Sequence, residues 1–185
     1  MAASTVVLAQ PPERRAASPA AVAVTALYQA HALGLMRLAH IMLGDRQSAE
    51  DVVQEAFCGL YRRWGQLSDT GKALQYVRSS VVNGCRSLQR RAARRSQPDV
   101  PITATFAEVT VMSAEADVLT SEERRQVMQA VRQLPQRQRE ALVLQYYLDL
   151  SADETAATMG ISPGSVRSAT HRALSAVARI LRDRS

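Results

Sequence analysis

Residues 151–182 read SADETAATMGISPGSVRSATHRALSAVARILR, two short helical patterns separated by a tight turn. Ser151 can cap the first helix, and Glu154, three residues on, can reach back to it, so a capping box sets where the helix begins. Gly160 stops it. Ser162 caps the next helix, and Pro163 takes its first position, where a missing N–H costs nothing. Stepping about 100° per residue gathers Val166, Ala169, Thr170, Ala173, Val177, Ile180 and Leu181 on one side. Arg167, Ser168, His171, Arg172, Ser175 and Arg179 fall on the other. The inner stripe anchors the helix, while the outer one offers guanidinium forks, hydroxyls and an imidazole, the groups that read base edges in a major groove. The pattern predicts a helix-turn-helix. A solvated basic face on an ordinary amphipathic helix would look the same, and it is the capped helix and glycine turn before it that favour DNA binding.

The 185 residues suit one large or two small domains, and 46% hydrophobic content is enough to build cores. Basic residues comprise 22 Arg and a single Lys, with a formal charge of +6, so a polyanionic partner is expected. Only Cys58 and Cys85 are present, without paired spacing for zinc, and there are three His. Neither a disulfide framework nor a metal site is suggested, and no cofactor is expected. No apolar run is read as membrane-spanning, and MAASTVVLAQPPERR lacks the basic start and long apolar centre of a signal peptide. The expectation is a soluble, cytoplasmic protein with no membrane insertion.

Residues 1–19 are rich in Ala, Ser and Pro and read as a flexible tail. A helical pattern then runs from Ala20 to Leu43, with Leu27, Leu35, Leu38, Ile41 and Met42 as apolar positions and Gly44 as its stop. Asp45 to Trp64 is a second helix, with Val53, Phe57, Leu60 and Trp64 as its core positions. Asp51, Gln54, Glu55 and Cys58 lie along another face, a row of acids and an amide without enough basic neighbours. Spacing alone makes that row a solvated face. Asp51 and Glu55 could suggest acid–base chemistry, but no nucleophile, ligand set or phosphate loop accompanies them, so an enzyme is not expected.

Gly65 to Lys72, GQLSDTGK, is a polar loop that includes Asp69, and it leads into a third helix from Ala73 to about Arg95. Val77, Val81, Gly84, Cys85 and Leu88 form its packing stripe. Ser79, Val82, Asn83, Arg86, Gln89 and Arg90 are expected to point away. Six arginines and no acid between Arg78 and Arg95 suit phosphate contact. A polar loop beside a basic helix can hold unstacked bases from an opened strand.

Residues 96–119 contain no Lys or Arg, four acids and two prolines, and read as a linker between two basic regions. Thr120 caps the next helix, packed through Val127, Val131 and Leu134. Pro135 opens another, PQRQREALVLQYYLD, the expected centre of a small C-terminal domain.

In this order the pieces resemble sigma factors of bacterial RNA polymerase, specifically the extracytoplasmic-function (ECF) group that keeps only regions two and four. AEDVVQEAF (49–57) resembles the region-two motif that docks on the polymerase clamp helices. YVRSSVVNGCRSLQRR (76–91) resembles the segment that opens and reads the minus-10 element. LPQRQREALVLQYYLDLSADETAATMGISPGSVRSATHRA (134–173) resembles region four, which binds the minus-35 element and the polymerase flap.

The resemblance implies an all-α fold. Two small helical domains, region two over 20–95 and region four over 120–185, are joined by an extended linker over 96–119. It implies core RNA polymerase and promoter DNA as partners, and a possible anti-sigma factor, since many members are held by one. Asp51, Gln54 and Glu55 match polymerase-contacting positions. Ser79, Asn83, Arg86, Arg90, Asp69 and Lys72 are assigned to the minus-10 element, with the Gly65–Lys72 loop matching one that captures a flipped base. Ser165, Arg167, Ser168, His171, Arg172 and Arg139 are assigned to the minus-35 element. Three positions depart from the family's habit. Tyr76 stands where tryptophan is common, Arg86 where aspartate is common, and His171 at a common aromatic position. The rival readings are a stand-alone helix-turn-helix regulator and a module that sequesters another regulator without touching DNA.

Overall fold

The computed structural model describes residues 18–94 and 121–183, and every regular element among them is helical. The expected tail up to residue 17, the linker over 96–119 and the Thr120 cap lie outside the described residues.

Helix α1, Pro19–Leu43, starts where Ser18 Oγ accepts the Ala21 N–H at 3.1 Å, and ends at Gly44 with φ 79°. It then reverses into α2, Arg46–Arg63, capped by the Asp45 carboxylate on the Ser48 N–H at 2.7 Å. The Ser48 hydroxyl, and after it the Ser48 N–H, hold the Asp45 carboxyl below its ordinary range. After two 3-10 turns, Trp64–Gln66 and Thr70–Lys72, α3 runs over Ala73–Arg94. Val53, Phe57 and Leu60 of α2 are buried, as the heptad-like spacing predicts; Trp64 is only half-buried because the α-helix gives way to the 3-10 turn at that residue.

The second group comprises α4 (Ser121–Gln133), α5 (Gln136–Tyr146), α6 (Ala152–Met159) and α7 (Pro163–Arg182). Helix α5 stops at Tyr146, three residues short of the expected end at Asp149. Asp149 itself takes φ 52°, and Leu150 N–H returns to the Leu144 carbonyl at 3.2 Å, turning the chain into α6.

By length and composition α1 could cross a bilayer, contrary to the expectation that no segment would; Leu35, Leu38, Ala39, Ile41 and Met42 are nevertheless buried among the other helices. One continuous core links the two groups. Helix α3 packs on α6, and α1 touches α4 and α5. Val82 departs from the sequence expectation. It was expected to point away from the packing stripe of α3, yet it is fully buried in a helix that packs on both helical groups.

Candidate nucleic-acid interface

The turn between α6 and α7 is built as its residues require. Ser151 Oγ accepts the Glu154 N–H at 3.2 Å while Glu154 Oε2 accepts the Ser151 N–H at 2.9 Å, closing the capping box and holding the Glu154 carboxyl below its ordinary range. Gly160 ends α6 with φ 70°, and Ser162 Oγ accepts the Ser165 N–H at 3.2 Å to open α7. Val166, Ala169, Thr170 and Ala173 are buried, and Thr170 Oγ1 donates to the Gln145 side chain of α5, pinning α7 on that helix. Arg167, Ser168, His171, Arg172, Ser175 and Arg179 are all exposed, as their periodicity predicts. Arg172 Nε donates to the Ser168 carbonyl at 3.1 Å, which aims its guanidinium along the outer face.

Beside this face runs a cleft lined by Arg137 and Gln138 of α5 and by Ser165, Ser168 and Arg172 of α7. Arg137 is exposed there. Arg139, assigned to DNA from the sequence, is turned inward: its Nη1 donates to the Arg132 carbonyl at 2.8 Å, and burial pulls its pKa down. The basic residue that joins the α7 face is therefore Arg137, two positions earlier. A helical count started from the buried Ala141 and Leu144 could have separated them, because residues two apart on a helix point in widely different directions.

The first group carries the other expected sites. Asp51, Gln54 and Glu55 are exposed along one side of α2, at the i, i+3 and i+4 positions that share a helix face. Asp51 and Glu55 line a groove between α2 and α3 that also holds Arg62, Arg63 and Arg91, with Tyr76 at its wall. Gln54 faces a second, more apolar groove with Tyr28, Phe57, Cys58 and Tyr61. Glu55 is also not short of basic neighbours, since Arg62 Nη2 donates to its Oε1 at 2.5 Å from two turns further along α2. With both side chains more than half exposed, that pair contributes little to stability.

Asp69 Oδ1 accepts the Gly71 N–H at 2.9 Å and Oδ2 lies 3.7 Å from Lys72 Nζ, so both expected loop residues sit exposed on a shaped turn. On α3, Asn83 and Arg90 are exposed and Ser79 is half-buried. Arg86 does not reach outward. Its Nε and Nη2 fork onto Glu140 of α5 at 3.0 and 2.6 Å, and its Nη1 donates to the Met159 carbonyl at 3.2 Å. Its expected phosphate contact is replaced here by a contact between the helical groups. Glu140, which no periodicity argument singled out, is fully buried.

Residues 27–95 match the family described as Sigma-70 region 2, and residues 124–177 match Sigma-70, region 4. The chain is 32% identical over 152 residues to the RNA polymerase sigma-E factor of Streptomyces avermitilis, covering 81% of this chain and 80% of that one. This chain belongs to the ECF group of the sigma-70 family of RNA polymerase sigma factors. It is also 32% identical over 163 residues to the RNA polymerase sigma-H factor of Pseudomonas aeruginosa, covering 83% and 82% of the two chains. The fold is similar to that of the sigma factor RpoE of Bartonella quintana, solved in complex with the anti-sigma factor NepR. The TM-score is 0.61 at 18% identity, over 87% of this chain and 92% of that one. The outward guanidinium and hydroxyl face of α7 lies within the region-4 match, and the α2–α3 groove lies within the region-2 match.

Proposed function

We propose that this sigma factor does no covalent chemistry and works in the cytoplasm by bridging core polymerase to two promoter elements. The carrying observation is the exposed face of α7, where Arg167, Ser168, His171 and Arg172 stand on a helix anchored by buried Val166, Ala169 and Ala173. Those four side chains read the minus-35 element, Ser165 and Arg137 hold its backbone, and the N-terminal dipole of α7 adds to the attraction for phosphate. Asp51, Gln54 and Glu55 dock on polymerase.

At the minus-10 element, Asn83, Ser79 and Arg90 of α3 act with the Asp69–Lys72 turn, which receives an extruded base. Extrusion costs a few kcal/mol, which pocket contacts must offset. An anti-sigma partner is part of this reading, since a structural relative is solved with one.

The test is run-off transcription with purified core polymerase and genomic fragments, together with a mobility-shift assay with and without core enzyme. Promoter-dependent transcripts and tight binding only as holoenzyme are expected. Tight duplex binding by the isolated chain, with no transcript, would instead make it a stand-alone regulator.

A further inference from the structure

Helix α7 packs on α4, α5 and α6, yet little in that packing fixes its rotation. Its buried residues are Val166, Ala169, Thr170 and Ala173, and the two alanines leave only a shallow ridge to interlock with the neighbouring helices. Thr170 supplies what they lack. Although it is only 7% exposed, it keeps a hydroxyl at the seam, and its Oγ1 donates to Gln145 Oε1 of α5 at 2.5 Å. Among the described residues this is the single side-chain hydrogen bond from α7 to another helix, since the others stay within α7 and its cap, Ser162 with Ser165 and Arg172 with the Ser168 carbonyl. A hydrogen bond is directional where apolar contact is not, so it selects one angle of α7 about its own axis.

That angle decides where the outer face points. Arg172 Nε is tied to the Ser168 carbonyl, so its guanidinium moves with α7 as a body. Side chains end about 5 to 6 Å from the helix axis, so a turn of about 10° carries them roughly 1 Å. Hydrogen bonds to base edges hold only over about 2.7 to 3.2 Å, whereas attraction to phosphates falls gently with distance. A displacement of that size therefore spoils base reading and leaves backbone attachment nearly intact. We propose that Thr170 and Gln145 are positioning residues for promoter discrimination. Without touching DNA, the pair sets the rotation at which Arg167, Ser168, His171 and Arg172 meet the bases. This role rests on the minus-35 reading of the same face.

The test uses holoenzyme and a promoter fragment recovered by run-off transcription, with each base pair of its minus-35 element replaced in turn. Discrimination is the affinity for the original fragment divided by that for a replaced one. Thr170→Val keeps the shape of the side chain and removes its donor. It should lower discrimination about tenfold at the positions read by α7, the loss of roughly one base contact. The slope of affinity against salt should not change, because the phosphate contacts remain. Thr170→Ser, which keeps the hydroxyl, should discriminate like the parent. Circular dichroism and binding to core polymerase check that Thr170→Val is folded. If it is not, Gln145→Ala removes the acceptor from a half-buried position, where the threonine hydroxyl can turn to the Val166 carbonyl of its own helix, and it should show the same loss.

Parental discrimination in a folded Thr170→Val or Gln145→Ala holoenzyme, or an equal loss in Thr170→Ser, overturns the positioning role. A uniform fall in affinity for every fragment, with the ratios kept, overturns it as well, because stability alone would then account for the pair. A parent holoenzyme with no preference at any minus-35 position is a different result: it sinks the promoter reading of α7, and the positioning role with it.

Discussion

Arg137 and Arg139 sit two positions apart on α5 and serve unrelated ends. Arg137 faces the cleft beside α7, so Arg137→Ala should weaken promoter binding evenly across sequences and lower the salt slope by about one. Arg172 stands on the exposed α7 face proposed to read bases, and Arg172→Ala should cost about 1 to 3 kcal/mol and relax preference at one position. Titrating each variant holoenzyme against promoter fragments at several salt concentrations separates the two effects; a parent-like isotherm for Arg172→Ala would remove it from the reading face. The two cysteines divide in the same way. Cys58 is exposed, whereas burial, helped by the nearby Glu140 charge, pushes the Cys85 thiol up to about 12. Maleimide at neutral pH should therefore modify Cys58 alone until denaturant is added, and mass spectrometry counts the adducts.

Among the elements, the start of α6 depends on one hydroxyl and one carboxylate. Ser151→Ala should destabilise by about 1 kcal/mol, read as a lower urea midpoint with an unchanged slope. Because the Glu154 carboxyl is held below its unfolded value, its contribution is fully present above the ordinary carboxylate range and fades as pH falls through the lowered value. The Ser151→Ala penalty should accordingly shrink on acidification. Gly84 sets how closely α2 and α3 approach, since a Cβ there would lie 2.8 Å from Val52 Cγ1. Gly84→Ala should cost about 1 to 3 kcal/mol and widen the groove holding Asp51 and Glu55. Chemical denaturation measures the first effect, and a change in polymerase affinity without loss of fold reports the second.

At the scale of the whole molecule, seven α-helices in two groups share one continuous core among the described residues. The helix-turn-helix, its caps and the outward set on α7 were legible from the residues, because capping and a period of 3.6 are local properties that adjacent side chains settle between them. The buried face of α2 was legible for the same reason. The α3 face was not. Periodicity tells which residues share a side but not what covers it, so Val82 and Arg86 were expected to point away from the packing stripe, whereas Val82 is buried and Arg86 meets α5 and α6. The cover over that face came by the same logic, since the Arg86–Glu140 pair depends on a neighbour's position in space, whereas the inward turn of Arg139 was within reach of a helical count. Local chemistry along the chain was sufficient for the helices, their ends and the family to which they belong. Which charged groups remain available to a partner was settled only when the second group closed over α3, because burying a guanidinium requires a carboxylate brought from 54 residues away.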